Sequence, residues 1–587
     1  MKKLIFKIFA AIIIISTVLT GCGLKKMIKK YDTVKYEVTP NVLETHGGKI
    51  SVTVKGNIPL KYFNKKATVE FSPILKYASG TTALKSITLQ GEKVKGEGTV
   101  IKKNAGGSFT YTDVINYNPD MNKSELTVNA KAVLNKKSAL LGEKKLADGV
   151  IYTSERVQRE EETFLVDYEY DKETIIAKNA DIYFAKGLSD LNLKKLPLNK
   201  NEENAAKLKG LIEFLKNNWK IKNIDISAWA SPEGEETFNQ GLSDKRSKTA
   251  DKYIKEQIKN DIVDKAKANK EKVDLKKIDL DIPTSALVAN GEDWDGFMKA
   301  IENSDIKEKN TILNVVNSQT DLLKKEKEIN NMTVIYPQIE DVILPPLRKS
   351  IITINFFEPK KTDQQIAMFA TTAPDSLKKD ELLYAATLTD DLATKLKIYE
   401  ATIMVYPSDW KAYNNAAYIC LKLGKLDEAS SYLEKANSLV SNNGKVINNL
   451  GVVASWKKEY DNAKAFYETA KGLGVNTDFN LGIISIRKGD YANALSLFST
   501  KTCMYNIALA QLLSGTDAVS TLECTNPKTA AVYYLLAVAG ARANNTSLIF
   551  ENLPKAISED ASYREQAKDD REFLKYNSSA EFLNAIK

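Results

Sequence analysis

The sequence predicts a multidomain chain: an N-terminal all-β sandwich, a central α/β domain with a helical insertion, and a C-terminal all-α repeat solenoid. Three observations predict it. Short runs alternating with period two fill residues 31–165, strands and amphipathic helices alternate over 168–360, and a 34-residue spacing recurs within the helical stretch 375–587. A length of 587 residues suits several domains, and 28 Gly with 15 Pro are too few for long disordered tracts.

The N-terminus reads as an address followed by an anchor. Lys2 and Lys3 form a positive start, and residues 8–19 form an apolar core of 12 residues. That core is shorter than the roughly 20 residues needed to span a bilayer. It ends Leu19-Thr20-Gly21-Cys22, which resembles the lipobox of bacterial lipoproteins. The resemblance implies cleavage of residues 1–21, acylation of Cys22, a lipidated tether over 22–30, and placement at the outer membrane. The following Gly23-Leu24-Lys25-Lys26 is basic rather than acidic, which favours a protein facing the periplasm.

In the β region, residues 49–54, 67–71 and 126–130 alternate apolar with polar side chains, separated by Gly turns and Lys-rich hairpin tips. Short strands without helices suggest an Ig-like sandwich used for spacing or contact. His46, the chain's single histidine, falls in Thr45-His46-Gly47-Gly48 and reads as a loop residue. A multi-histidine metal site is therefore excluded within one chain, and a His-based triad would have to use His46. The net charge of +9 arises from 84 basic and 75 acidic residues mixed along the chain. That mixture reads as a solvated surface, not a nucleic-acid-binding face.

The central region offers strands at 181–184, 224–230 and 350–356, with helices over 204–218 and 238–258. Asn239-Gln240-Gly241-Leu242-Ser243-Asp244-Lys245-Arg246 follows a strand and a Gly turn, Val288-Ala289-Asn290-Gly291-Glu292 forms a later strand and turn, and Arg348-Lys349 precede the last strand. Together these segments resemble the OmpA-like peptidoglycan-binding domain. The resemblance implies that Arg246 grips the carboxylate of a peptidoglycan stem peptide, with Asn239 and Ser231 shaping the groove. A guanidinium suits that task because its planar fork makes paired, charge-assisted hydrogen bonds. Two departures stand out. Ser231 occupies the family's aspartate position and brings no charge, although Glu233 lies close by, and residues 293–344 form an insertion of one or two helices, 294–304 and 310–329, followed by a loop. A second reading makes Arg246 a purely structural pin on the turn at Ser231.

After a linker at 361–374, the helical region carries a repeat. Ala417, Leu426, Ala429, Leu433 and Ala436 recur 34 residues later as Gly451, Tyr460, Ala463, Tyr467 and Ala470, and a further copy follows at Gly482, Tyr491 and Ala494. This is the tetratricopeptide pattern, whose concave groove usually binds peptides or proteins. Trp410 and Trp456 read as core filler. Cys503 and Cys524 either form a disulfide or remain buried thiols, and Cys420 reads as a small core residue. No phosphate-binding loop, dinucleotide turn or metal-ligand spacing occurs.

The sequence therefore predicts a non-enzymatic envelope lipoprotein with no cofactor. It would reach the membrane through lipid on Cys22, peptidoglycan through Arg246, and an envelope protein through the repeat groove. The alternative is an assembly scaffold whose central domain has lost peptidoglycan binding and docks proteins instead.

Overall fold

The computed structural model describes residues 22–272, 278, 280, 282 and 284–587; the signal segment expected at 1–21 lies outside them. The chain forms two compact units, one of Met1–Tyr168 with Ala386–Lys587, the other of Glu169–Ala385. The linear order of β region, middle domain and repeats is thus not the spatial grouping, because the first and third segments share a unit.

The β-rich region contains eleven strands around one core. Val42–His46 pairs antiparallel with Lys49–Ile58 and parallel with Lys137–Ile151. The strands therefore form one connected sheet folded over itself, where two separate sheets were expected. Alternation in Lys49–Ile58 buries Ile50, Val52 and Val54. They face a core that includes Phe71, Phe109 and Tyr111, with ring centroids of Phe71 and Phe109 at 5.1 Å. Residues expected as a loose tether instead form the helix Cys22–Lys29. Leu24 and Met27, three apart on one helical face, are buried in the same core.

The second segment of this unit is helical with tetratricopeptide repeats. Its helices pair as Trp410–Lys422 with Leu426–Leu439, Gly444–Trp456 with Tyr460–Gly472, and Asp478–Arg487 with Tyr491–Leu497. Small residues sit where paired helices cross. A Cβ at Gly451 would lie 2.6 Å from the Tyr467 ring, so the spacing of Ala417, Gly451 and Gly482 reports contact distance. Cys503 and Cys524 form a disulfide, and Cys420 is free and buried.

The Glu169–Ala385 unit has a four-stranded sheet in the order Ile175–Tyr183, Lys349–Phe357, Ile221–Ala230, Thr284–Glu292. The last two strands are parallel and the other pairs antiparallel. Helices Glu202–Leu215 and Glu236–Ala268 share its core through Leu211, Ala250, Ile254 and Ile258. The insertion builds a second small core around Phe297, Ile312, Ile329 and Ile343. The helix expected over 310–329 is broken into Lys309–Ser318 and Leu322–Asn330, because Asp321 caps the second helix through the Lys324 amide. The expected loop before Pro345 instead holds the turns Tyr336–Gln338 and Ile339–Ile343. The expected linker 361–374 holds the helix Asp363–Thr372, fixed by a capping box between Thr362 and Gln365. Among the described residues no helix is long and apolar enough to cross a membrane.

Candidate functional site

Two places were expected to hold ligands: the concave face of the repeats, and the surroundings of Ser231, Asn239 and Arg246.

The first helix of each repeat presents carboxamides to the concave face. Asn414, Asn415, Asn448, Asn449, Asn480 and Asn506 are all fully buried. A buried carboxamide must find partners for its oxygen and its NH2 group. Here the partner is main chain from residues 158–166, a strap that leaves the β region and lies in the groove. Asn415 accepts from the Val166 N–H at 2.8 Å and donates to the Val166 carbonyl at 3.1 Å. Asn449 does the same for Phe164 at 2.8 and 2.7 Å. Asn480 holds Glu162 at 2.7 and 2.9 Å, and Asn506 holds Gln158 at 3.0 and 2.9 Å. The strap runs against the order of the repeats and presents alternate residues 162, 164 and 166, the period of an extended chain. Neighbouring rungs are tied together, Asn449 to Asn414 at 3.0 Å and Asn480 to Asn448 at 2.9 Å.

Strap side chains add their own anchors. Glu160 accepts from the Tyr505 and Asn506 amides at 3.1 and 2.9 Å, at the start of the helix Tyr505–Ser514. Burial nevertheless raises its carboxyl above the ordinary range. Glu161 accepts from Ser455 Oγ at 2.7 Å and from Trp456 Nε1 at 2.8 Å. Trp456 is therefore a polar partner of the strap as well as filler. Arg156 pairs with Asp570 and lies over the rings of Tyr152 and Tyr534. His46, expected as an isolated loop residue, donates to or accepts from Tyr491 Oη at 2.7 Å and lies 3.6 Å from Glu44.

The central unit places Ser231, Asn239 and Arg246 together, as their spacing implies, but turns them inward. Arg246 is fully buried. Its guanidinium donates to the carbonyls of Leu188, Trp229 and Ala185 at 3.0, 2.9 and 3.1 Å, with the Phe184 ring at 5.3 Å. Burial, reinforced by the positive charge of Arg348, pushes its pKa down to about 10. Asn239 donates to the Glu233 carbonyl at 3.1 Å and to Glu292 Oε1 at 2.9 Å. Ser231 donates to Glu233 Oε1 at 2.6 Å.

Glu233 supplies the anion that Ser231 lacks, and an internal cation takes it. Arg348 Nη2 lies 2.7 Å from Glu233 Oε1, both side chains nearly buried, and its Nε donates to the same oxygen at 2.9 Å. Lys186 reaches Glu233 Oε2 at 3.2 Å and Glu340, on the insertion, at 2.6 Å. Glu326, also on the insertion, accepts from the Gly234 amide. The guanidinium of Arg246 is thus spent on backbone carbonyls, and the carboxylate of Glu233 on Arg348 and Lys186. Among the described residues no cluster of His, Cys, Asp and Glu suits a metal ion.

The carboxamide ladder escaped the sequence reading, although its signal was there: Asn414-Asn415 recurs 34 residues later as Asn448-Asn449. A repeated polar pair on an otherwise apolar helix marks a face that must be satisfied by something outside that helix.

Residues 411–443 match the family model of the tetratricopeptide repeat, and this region fits a protein-interaction scaffold. No curated protein matches the chain. Among solved structures, one similar chain is YrrB, described as a tetratricopeptide repeat protein with an unusual peptide-binding site. It shares 20% identity over 35% of this chain and 99% of its own, with a TM-score of 0.21. A tetratricopeptide repeat protein from Parabacteroides merdae shares 13% identity over 42% of this chain and 98% of its own, at 0.30. PilW, a type IV pilus biogenesis factor, shares 13% over 38% and 89%, at 0.22.

Proposed function

We propose that this chain is a non-enzymatic scaffold of the cell envelope, lipid-anchored at Cys22 on the periplasmic face of the outer membrane. Its middle unit is an OmpA-like domain that has given up peptidoglycan and docks proteins instead. One observation carries the scaffold reading. The repeat groove is spent on the chain's own strap, which joins the β region and the repeats into one platform and leaves partners the remaining surfaces. The lipobox-like Leu19–Cys22 supports the anchor, and the Cys503–Cys524 disulfide suits an oxidising compartment. The mixed sheet with Arg348 and Lys349 at the start of its last strand supports the OmpA-like kinship. The choice against a wall ligand rests on Arg246, whose donors are turned onto three backbone carbonyls.

The test combines sedimentation with purified sacculi and photo-crosslinking in cells from positions around Glu233. The proposal expects the unacylated full chain to remain in the supernatant, with crosslinks to a defined protein neighbour. Sedimentation with sacculi that soluble stem peptide reverses would restore the wall-linking function.

A further inference from the structure

Lysines scattered through the sequence converge on one end of the β region. Pairing places five segments there. Leu134 is opposite Ala67, Thr68 is opposite Gln90, and Gly91 is beside Ile101. These registers bring together the turns 59–66, 91–95, 102–106 and 134–137. The Lys61 amide donates to the Lys103 carbonyl at 2.6 Å, and the Lys93 amide to the Lys65 carbonyl at 2.8 Å. The fifth segment is the helix Cys22–Lys29 with Lys30. A Cβ at Gly23 would meet Asn64 at 2.6 Å and Leu134 at 2.9 Å, which fixes that helix against the same turns. Together the five segments contain 13 lysines and one carboxylate, Glu92. Glu92 is already paired with Lys65 at 3.3 Å.

The apolar features of this end are also unusual. Leu60 is 60% exposed at the tip of its turn and Ile28 is 37% exposed. A recess of about 530 Å³ lies beside Leu24, lined by Leu134 and the tip Asn135-Lys136-Lys137. Tyr62 and Phe63, aromatic residues in the same turns, are buried and unavailable to stack on bases. The opposite end of the β region seats on the repeats, with Lys123 paired to Asp569 at 2.6 Å and Arg542 beside Glu44.

We propose that this lysine-ringed end is a docking surface for an anionic phospholipid membrane, with phosphate headgroups paired to the lysines and Leu60 inserted among them. The idea rests on the Cys22 anchor for its orientation but not for its chemistry. An acyl chain on Cys22 would start from a helix packed into the β core, so membrane contact at Cys22 brings this end to the headgroups. Clustered lysines near an anionic surface add attraction that falls away within a Debye length. One chain of lipid holds a protein only marginally, and a polybasic patch is the kind of second signal that secures it.

The experiment uses the full chain bearing Cys22→Ser, so that no acyl group contributes. Binding is measured to vesicles of phosphatidylcholine alone and of phosphatidylcholine mixed with phosphatidylglycerol, over a range of salt, with labelled duplex DNA as a competitor. The expected result is binding to the mixed vesicles only, weakened by salt. Combining Lys25→Gln, Lys26→Gln, Lys136→Gln and Lys137→Gln is expected to lower affinity at least about tenfold, with unchanged circular dichroism. Equal binding to both vesicle types, no binding to either, or displacement of vesicles by DNA would overturn the proposal. The mass of the Cys22 peptide from the natural chain reports the anchor separately. Unmodified Cys22 with salt-sensitive vesicle binding removes the anchor and keeps the surface; acylated Cys22 without headgroup preference does the reverse.

Discussion

Asn449 holds both polar groups of Phe164, accepting from its N–H at 2.8 Å and donating to its carbonyl at 2.7 Å, although the two residues are 285 apart in sequence. Such a contact reads backbone and ignores side chains. Four of them in series fasten a segment without helix or sheet of its own.

Asn449→Ala removes these two bonds, the one to Asn414 Oδ1 and the longer one accepted from Asn448 Nδ2 at 3.4 Å. At about 1 kcal/mol each, with further cost for buried groups left unpaired, the local loss is roughly 3 kcal/mol or more. Limited proteolysis should then cut between Gln158 and Asp167 well before the repeats unfold. A cleavage pattern identical to wild type would show that the rung contributes nothing.

The Glu233–Arg348 pair makes a different prediction. Glu233→Ala strands a nearly buried guanidinium, which typically costs about 3–5 kcal/mol. Urea denaturation of the single variant should report a loss of that order. The double variant Glu233→Leu with Arg348→Met should recover most of it, because a buried pair of similar volume is replaced without an orphan charge. Additive losses would mean that the two side chains do not interact.

Arg246 tests the structural role against the ligand role. Arg246→Ala removes the guanidinium donors from three carbonyls, of which Ala185 keeps the Leu188 N–H, and Arg246→Lys lacks the planar fork to reach all three. Both variants should lower the thermal midpoint of the chain, the alanine variant more. Sacculus sedimentation should stay at background for wild type and variants alike. Loss of sedimentation without loss of stability would return Arg246 to a ligand.

The cysteines give a pH-dependent readout. In the Cys22→Ser chain a thiol reagent at neutral pH should label nothing in the folded state, because Cys503 and Cys524 are bonded and Cys420 is buried. Unfolding without reductant should expose the Cys420 thiol alone, and reduction should add the other two. Burial, with Glu428 adding to it, pushes the Cys420 thiol up from 9.0 to about 11. The folded state therefore holds this proton more tightly than the unfolded one, so stability falls as pH rises from 9 towards 11. Rapid labelling of native protein at neutral pH would contradict the assignment.

Much of the fold was legible because its signals are periodic and local. Ile50, Val52 and Val54 alternate, and Ala417, Gly451 and Gly482 mark helix crossings, so a β region and a repeat region could be read from spacing. What was not legible depends on partners remote in sequence. The lysines of four turns and one helix look evenly mixed with acids until strand register gathers them at one end. Sequence spacing sets Arg246 near the turn at Ser231, but only the tertiary structure shows its donors aimed at Ala185, Leu188 and Trp229. Glu233 lies two residues from Ser231 in the sequence, but its capture by Arg348 needs the fold to bring residues 115 apart together. The strap shows no alternation of apolar and polar residue types to mark it as an extended segment, so its groove looked open.

The most direct measurement is amide hydrogen exchange, resolved by residue, at Gln158, Glu162, Phe164 and Val166 in the full chain. The ladder predicts slow exchange at these four, approaching that of the repeat helices, with Asn449→Ala accelerating Phe164 first. Exchange at the rate of an unstructured peptide would mean that the groove stands open, and the self-closed platform would have to be abandoned.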